Sequence, residues 1–226
     1  MKAWLDFCGV DPAHLVFHEI PDGERAHYSK RTVDIEYHYP FGQKELYGIA
    51  YRGDYDLKNH LEKSGADLSY TDPATKEKYV PHVVEPTFGI DRTVLLVLLE
   101  AYREEEAPTA EEGESAARVV LKFPKALAPY KVAVLPLSKK EELAAVAEPL
   151  AAKLRRRWAT DYDETQSIGK RYRRQDEIGT PYCVTVDFDS LNDKKVTVRD
   201  RDSMKQDRVA LDELEAYLEE KLKADS

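Results

Sequence analysis

The 226-residue sequence contains two cysteines, Cys8 and Cys183, and neither belongs to a CxxC pair or a Cys/His cluster. This scarcity argues against a disulfide framework and a structural zinc site, and it fits a reducing compartment. The sequence also lacks an apolar run approaching the ~20 residues that span a bilayer, and its N-terminus lacks a signal segment. We therefore expect a soluble, cytoplasmic protein with no membrane partner.

Charge is distributed unevenly along the chain. Residues 104–118 contain six Glu, one Pro and one Gly but no large apolar side chain, a pattern typical of an acidic, solvated linker. Residues 119–226 carry a net charge of +1, and the rest of the chain carries −10. The sequence therefore predicts two domains, residues 1–103 and 119–226, joined by the 104–118 linker.

The first part of the chain shows the patterns of an antiparallel sheet. Apolar residues alternate over 33–39, which predicts a half-buried strand, and residues 44–52 form a second candidate strand. Two more candidates, 66–71 and 78–85, flank a turn-rich segment. The apolar run 90–99 is too long for a strand and predicts a buried helix. Strands covered by one helix indicate the α+β class.

The second part alternates strands and helices. Ser138 with Glu141 forms a capping box, which predicts that a helix begins there. Leucines at spacings of three and four over 211–222 predict a final helix. The predicted strands are 131–135, 182–187 and 195–199. This order favours a small α/β domain with a mostly parallel sheet.

Arg92 is the most conspicuous charged residue, because it lies in the first turn of an otherwise apolar helix. It follows Glu85 and Pro86 at the end of a predicted strand. A guanidinium in such a place is costly unless it is paired or bound to a ligand. The pattern leaves two readings open, a salt bridge with Asp91 or Glu85, and a functional site.

Two further groups of charged residues have a functional and a structural reading. Glu45 and Arg52 lie near the two ends of a predicted central strand, where charges more often face water. Basic side chains interleaved with a tyrosine occupy a predicted short helix, which is typical of a solvated face or of a nucleic-acid contact. These basic residues are Lys170, Arg171, Arg173 and Arg174. No phosphate loop, nucleophile elbow or HExxH motif is present.

Taken together, the segments resemble one family, the class II glycyl-tRNA synthetases of the archaeal/eukaryotic type, which some bacteria also use. The resemblance covers nearly the whole chain, and EPTFGIDR is similar to class II motif 3. The segments that carry it are AHYSKRTVDIEYHYPFG, KELYGIAYRGDYDLKNH, VPHVVEPTFGIDR, LAPYKVAVLPL, GKRYRRQDEIGTPYCVTVD and KVTVRDRDSM.

The resemblance implies a partial class II antiparallel sheet with a motif 3 helix in residues 1–103, followed by an anticodon-binding α/β domain in 119–226. The implied reaction has two steps: glycine and ATP form glycyl-adenylate and pyrophosphate, and the glycyl group then passes to the 3′-terminal adenosine of a glycine-specific tRNA. ATP enters as its Mg²⁺ complex, and no protein-bound metal is implied. The family also implies a homodimer.

Residue roles follow from the same resemblance. Arg92 is implied as the catalytic arginine that contacts the ATP phosphates, with Glu85 also at the ATP. Glu45 and Glu85 would hold the glycine ammonium, Thr87 would contact glycine through its hydroxyl, and Arg52 would lie close to the same pocket. The basic helix with Lys170, Arg171, Arg173 and Arg174 would lie on the tRNA-binding domain.

The sequence departs from the family pattern at two residues and in length. Thr87 stands where Ser is usual, and Tyr51 where Asn or Asp is common, so both could retune the pocket. Motifs 1 and 2 would lie upstream of Trp4, which leads us to expect little adenylate formation by the isolated chain. Two hypotheses remain: a synthetase fragment or split subunit, and a non-catalytic tRNA-binding or accessory module.

Overall fold

The computed structural model describes residues 1–108 and 115–223. It begins with a short helix, α1 (Lys2–Phe7). The chain divides into two compact units, residues 11–96 (the 11–96 unit) and residues 97 onward together with residues 1–10 (the 97–223 unit). The boundary therefore falls after Leu96, within a helix, and not in the predicted 104–118 linker.

The 11–96 unit is built on a four-stranded antiparallel sheet with the order β1-β2-β3-β6. The strands predicted over 33–39 and 44–52 are present, while the one predicted over 78–85 is interrupted at Pro81, which cannot donate to a strand ladder. The elements in chain order are a 3₁₀ turn (Pro12–His14), β1 (Leu15–Glu19), β2 (Arg31–Tyr39), β3 (Gly42–Gly53), α2 (Tyr55–Ser64), β4 (Tyr70–Thr71), β5 (Lys78–Tyr79), β6 (Val83–Phe88) and α3 (Ile90–Ala101).

Helix α3 is less buried than its apolar sequence predicts. Leu96 and Ala101 are buried, but Ile90 is 78% exposed, and Val94 and Leu95 are also exposed. The prediction of a buried helix is thus wrong for the described residues. An apolar sequence shows that a helix can be covered on most sides, whereas burial depends on which elements are present to cover it.

The 97–223 unit contains a five-stranded mixed sheet with the order β10-β9-β11-β12-β13. Strand β9 runs parallel to β10 and β11, whereas β12 and β13 pair antiparallel, so the predicted mostly parallel sheet is half correct. The elements are β7 (Tyr102–Pro108), β8 (Ser115–Leu121), β9 (Val132–Pro136), α4 (Glu141–Leu154), β10 (Thr160–Tyr162), α5 (Ile168–Ile178), β11 (Tyr182–Val186), α6 (Ser190–Asp193), β12 (Lys195–Asp200), β13 (Gln206–Ala210) and α7 (Leu214–Lys223).

Helix α4 begins without the predicted capping box. Its N-cap residue is Lys140, in an extended conformation, and Glu141 is the first helical residue. Ser138 lies two residues outside the cap, and its buried hydroxyl has no hydrogen-bond partner in the described part of the chain. The helix therefore starts too late for Ser138 and Glu141 to bond each other's backbone N–H groups.

Part of the predicted acidic linker forms a hairpin instead. Strands β7 and β8 pair antiparallel, with Tyr102 opposite Leu121, while residues 109–114 lie outside the described residues. Glu105 accepts a 2.7 Å hydrogen bond from Arg118 Nη1 and lies 2.6 Å from Lys122 Nζ. Glu105 is thus paired with two basic side chains within the hairpin. A count of acidic residues cannot reveal such pairing.

The structure bears on two features of the sequence, the lack of long apolar runs and the two cysteines. No helix in the described part of the chain is long and apolar enough to cross a membrane. Cys8 and Cys183 are both buried free thiols. Burial raises the pKa of the Cys183 thiol to about 12, which keeps it protonated and unreactive at neutral pH.

Candidate functional site

One face of the four-stranded sheet combines carboxylates with small residues. Gly48 on β3 pairs with Asp34 on one side and Thr87 on the other, and Ala50 pairs with Glu85. Since directly paired residues project from the same face, these five positions share one surface. A Cβ added at Gly48 would lie 3.5 Å from Asp34 Oδ1, so the Asp34 carboxylate reaches over the glycine.

A β-bulge brings Glu45 onto this face. The register of β2 and β3 shifts between Ile35 and Glu36, which leaves Leu46 as an extra residue and pairs Glu45 with Glu36. Without the bulge, Glu45 would project from the opposite face. The pKa of Asp34 is raised by partial burial and by repulsion from Glu45 and Glu36. The face is therefore a local concentration of negative charge.

Arg92 reaches the sheet from the start of α3. Its Nη1 donates a 3.0 Å hydrogen bond to the Glu45 carbonyl oxygen and lies 3.3 Å from Glu45 Oε1. The side chains of Arg92 and Glu45 are each about half exposed. The desolvation cost of Arg92 is therefore smaller than it would be for an arginine in a buried helix. Its ion-pair partner is Glu45, and not Asp91 or Glu85 as the sequence suggested. A Cβ at Gly89 would lie 3.2 Å from Arg92 Cδ, so the absent side chain gives Arg92 room.

The first turn of α3 is fixed to β3 by hydroxyl groups. Thr93 Oγ1 donates a 2.7 Å hydrogen bond to the Gly89 carbonyl oxygen. Tyr47 Oη lies 2.5 Å from Thr93 Oγ1, and because the threonine proton is already committed, Tyr47 donates. This chain of hydrogen bonds determines where Arg92, one residue before Thr93, leaves the helix.

The second ion pair on the face joins Arg52 to Glu85. Arg52 Nη1 donates a 2.6 Å hydrogen bond to Glu85 Oε2, while Arg52 Nε and Nη2 donate to the two carboxylate oxygens of Asp56 at 2.7 Å. The Tyr28 ring lies 3.8 Å from the guanidinium carbon. These hydrogen bonds, Asp56 first, raise the pKa of Arg52 above its usual range and lower that of Asp56.

The structure thus places the predicted site residues Glu45, Arg52, Glu85 and Thr87 on one sheet face, with Arg92 at its end. They form two ion pairs, and within the described residues Arg92 makes no ion pair with Glu85. Sequence reasoning missed Asp34, Asp56 and Tyr28. The available signal for Asp56 was its position four residues after Arg52, at the start of a helix.

The basic helix α5 presents its four predicted residues in different ways. Lys170 is exposed and makes no hydrogen bond or ion pair with the described residues. Arg173 is exposed and donates to the Ala117 carbonyl oxygen at 2.7 Å. Arg174 is half-buried and paired with Asp163. Lys170, Arg173 and Arg174 line a groove of about 1040 Å³ within the 97–223 unit.

The interpretation of Arg171 as a tRNA contact is corrected by its burial. Its side chain is fully buried, and its guanidinium donates to the carbonyl oxygens of Pro136, Asp163 and Leu137. Its buried Nε has no hydrogen-bond partner among residues 1–108 and 115–223. Arg171 therefore ties α5 to the end of β9 and the segment after β10, and cannot reach a ligand from outside.

The arrangement on the 11–96 sheet suits a small charged ligand. Carboxylates can pair an ammonium group, and an exposed guanidinium can neutralise phosphate oxygens. No group of three or more His, Cys, Asp or Glu side chains is arranged to hold a metal ion among residues 1–108 and 115–223.

Comparison with known proteins gives a family match for the second unit. Residues 131–221 match the model of the anticodon binding domain. This range contains α5, all five strands of the mixed sheet and most of the residues that line the groove.

Longer matches cover nearly all of the chain. It is 55% identical over 222 residues to a glycine–tRNA ligase of Corynebacterium efficiens, covering 97% of this chain and 48% of the relative. The corresponding enzyme of Thermobifida fusca is 52% identical over 222 residues, and that of Clostridium acetobutylicum is 54% identical over 229 residues. The chain spans about half the length of these curated relatives, which are all bacterial.

A solved structure supports the fold. A prolyl-tRNA synthetase from Cryptosporidium parvum superposes with a TM-score of 0.66 at 15% identity, covering 98% of this chain and 44% of that one. The predicted fold class, an antiparallel class II synthetase sheet with a second α/β domain, is confirmed.

Proposed function

We propose that this chain is the part of a glycine–tRNA ligase that carries motif 3 and the anticodon-binding domain. The identity of 55% to a glycine–tRNA ligase over 97% of the chain carries the proposal. The sheet face described above supports it, because it offers paired carboxylates, small residues and an accessible arginine. The archaeal/eukaryotic subtype and a homodimeric assembly belong to the same proposal.

In the first step, a carboxylate oxygen of glycine attacks the α-phosphorus of ATP and pyrophosphate leaves. Glu45 and Glu85 hold the glycine ammonium, which must be paired in a partly dehydrated site, and Thr87 donates or accepts through its hydroxyl. Among the described residues Arg92 contacts Glu45 through Nη1 alone, so Nε and Nη2 remain for the phosphate oxygens of MgATP. A fixed cation stabilises the charge that develops during phosphoryl chemistry.

In the second step, the 3′-terminal adenosine hydroxyl of tRNA attacks the glycyl carbonyl and AMP leaves. Lys170, Arg173 and Arg174 contribute positive charge to the groove that receives the RNA. Selectivity for glycine arises from the small amount of room near Gly48 and Thr87. A pocket of that size excludes amino acids that carry a side chain.

The decisive experiment is glycine-dependent ATP–pyrophosphate exchange, run with this chain alone. It is repeated with the unaligned part of the Corynebacterium efficiens ligase added as a separate polypeptide. We expect glycine-dependent exchange in at least one of the two assays, with the chain alone or with the added polypeptide. Neither assay should show exchange with alanine or serine. A Glu85→Gln variant serves as the negative control, because it removes one ammonium partner.

The absence of exchange both with the chain alone and with the added polypeptide would contradict the ligase proposal. If the chain then bound glycine tRNA with a salt-dependent affinity, the accessory-module hypothesis would replace it, because RNA binding alone requires only the basic groove.

A further inference from the structure

Arg52 is more completely occupied by protein partners than a ligand-binding arginine should be. Its Nε and Nη2 atoms are bonded to Asp56 in a two-point contact, and its Nη1 donates to Glu85. One face of its guanidinium lies against Tyr28. Only 17% of the side chain is exposed, compared with 47% for Glu85. The partner that remains accessible is therefore the carboxylate.

We propose that Tyr28, Arg52 and Asp56 form a clamp that positions the Glu85 carboxylate, and that Arg52 is a positioning residue instead of a glycine ligand. The identity of the ligand rests on the proposed function, whereas the clamp itself rests on the contacts. Glu85 Oε2 is used by Arg52, and no other donor among the described residues contacts Glu85. Oε1 is thus left for the substrate ammonium.

Each member of the clamp is anchored by its own element. Arg52 is the extra residue of a bulge in β3, because the register with β6 shifts between Tyr51 and Gly53. Asp56 lies in the first turn of α2. The loop with Tyr28 is tied to β3 by a 2.7 Å hydrogen bond from the Lys30 backbone N–H to the Tyr51 carbonyl oxygen.

The geometry explains why the clamp restricts Glu85. A guanidinium held at two points by a carboxylate is fixed in plane and direction. Stacking on an aromatic ring fixes the remaining tilt. A donor fixed in this way holds the acceptor carboxylate in one rotamer, so less freedom is lost when the ammonium binds.

The same sheet offers a matched control. Arg31 Nε and Nη2 donate to the two carboxylate oxygens of Glu19 at 2.9 Å, and both side chains are largely exposed. This pair has the same chemistry as Arg52 with Asp56, but it contacts none of the predicted site residues. Glu19→Gln therefore removes an equivalent two-point contact outside the clamp.

The first test is NMR on the whole chain with ¹⁵N-arginine and ¹³C-glutamate labels. In Asp56→Asn we expect the Arg52 Nε–H signal to broaden or exchange with solvent, and the Glu85 side-chain carboxyl signal to shift. Glu19→Gln should change neither signal. An unchanged Glu85 signal in Asp56→Asn overturns the clamp, whether or not the chain is active.

The second test is glycine-dependent pyrophosphate exchange with Asp56→Asn and Arg52→Lys. Because the clamp acts on a carboxylate that holds glycine in both ground and transition states, the KM for glycine should rise about tenfold or more while kcat changes little. A fall in kcat with unchanged KM would overturn the positioning role. Absence of exchange by the unsubstituted chain would contradict the proposed function, and the NMR result would then decide the clamp.

Discussion

Arg118 Nε donates a 2.9 Å hydrogen bond to Asp176 Oδ2, and the two side chains are 2% and 3% exposed. The contact joins β8 to α5. Arg199 on β12 donates to both oxygens of the same carboxylate, at 2.8 and 3.1 Å. One buried aspartate thus pairs with two arginines and connects the hairpin, the basic helix and the mixed sheet.

Replacing Asp176 by Asn should destabilise the 97–223 unit strongly. The buried guanidinium of Arg199 loses its carboxylate partner, and the buried guanidinium of Arg118 loses one of two, since it keeps Glu105. Breaking buried ion pairs in this way typically costs about 3–5 kcal/mol. Urea unfolding followed by tryptophan fluorescence measures this, because Trp4 and Trp158 both belong to this unit. Glu219→Gln, which disrupts a more exposed pair with Arg157, should have a much smaller effect. Equal losses in the two variants would contradict the buried-charge argument.

Gly169 in the first turn of α5 and Gly179 at its C-cap should respond to alanine in opposite directions. Gly179 has φ +84°, and an added Cβ would lie 2.5 Å from Phe123 Cδ2 and 2.7 Å from the Leu121 carbonyl oxygen. Gly179→Ala should therefore destabilise the unit by about 1–3 kcal/mol. Gly169 has open space around it, and Gly169→Ala should stabilise the helix by about 0.5–1 kcal/mol. The same unfolding assay tests both, and loss of stability in both would be contrary evidence.

Binding of glycine tRNA should depend on Lys170 and Arg173. Lys170→Ala or Arg173→Ala should weaken binding and reduce the slope of log affinity against log salt by about 1, the value for one phosphate contact. Filter binding at several ionic strengths measures this. Lys139→Ala, an exposed lysine that does not line the groove, is the control. An unchanged slope in both groove variants would show that the RNA lies elsewhere.

The contribution of Asp56 to stability should depend on pH. Hydrogen bonds from Arg52 lower the pKa of Asp56 below its ordinary value of 3.8. Its contribution is therefore fully present above that value and is lost as the pH falls through the lower, folded-state pKa. Amide hydrogen exchange in β3 should show a difference between the unsubstituted chain and Asp56→Asn at pH 6 that shrinks below about pH 3.8. A difference independent of pH would contradict this sign.

Arg92→Ala should reduce glycine-dependent pyrophosphate exchange by about 100-fold or more, the usual cost of removing one charge-stabilising donor. Arg92→Lys should recover only part of the rate, because a point charge cannot bond in two directions as a guanidinium does. Arg31→Ala is the matched control at an exposed arginine. An unchanged exchange rate in Arg92→Ala would show that Arg92 serves as an ion-pair partner of Glu45 and does not act on the ATP phosphates.

Local sequence patterns predicted most strands and helices but not what covers them. Alternation over 33–39 identified β2, because a half-buried strand imposes a period of two. The apolar run of α3 did not predict the exposure of Ile90, since burial depends on distant elements. The acidic composition concealed the pairing of β7 with β8, because that pairing depends on contacts between the two strands, such as Glu105 on β7 with Arg118 on β8.

The site was predictable in membership but not in pairing. Wording and order of the segments pointed to Glu45, Glu85 and Arg92. The β-bulge at Leu46 decides which face of the sheet Glu45 occupies, and bulges leave no clear signal in an alternating sequence. Burial of Arg171 was equally hidden, since its neighbours on α5 have the same charge and are accessible.

The guanidinium of Arg201 has a consequence for how this molecule reaches its native state. It donates to the carbonyl oxygen of Phe123, 78 residues away, and to that of Gly179, 22 residues away. The backbone carbonyl oxygen of Arg201 accepts from Arg118, 83 residues away. Contacts between residues so far apart in the sequence carry a large loop-closure entropy cost and therefore form slowly. Docking of the hairpin should accordingly be a late kinetic event, completed after the central strands have assembled.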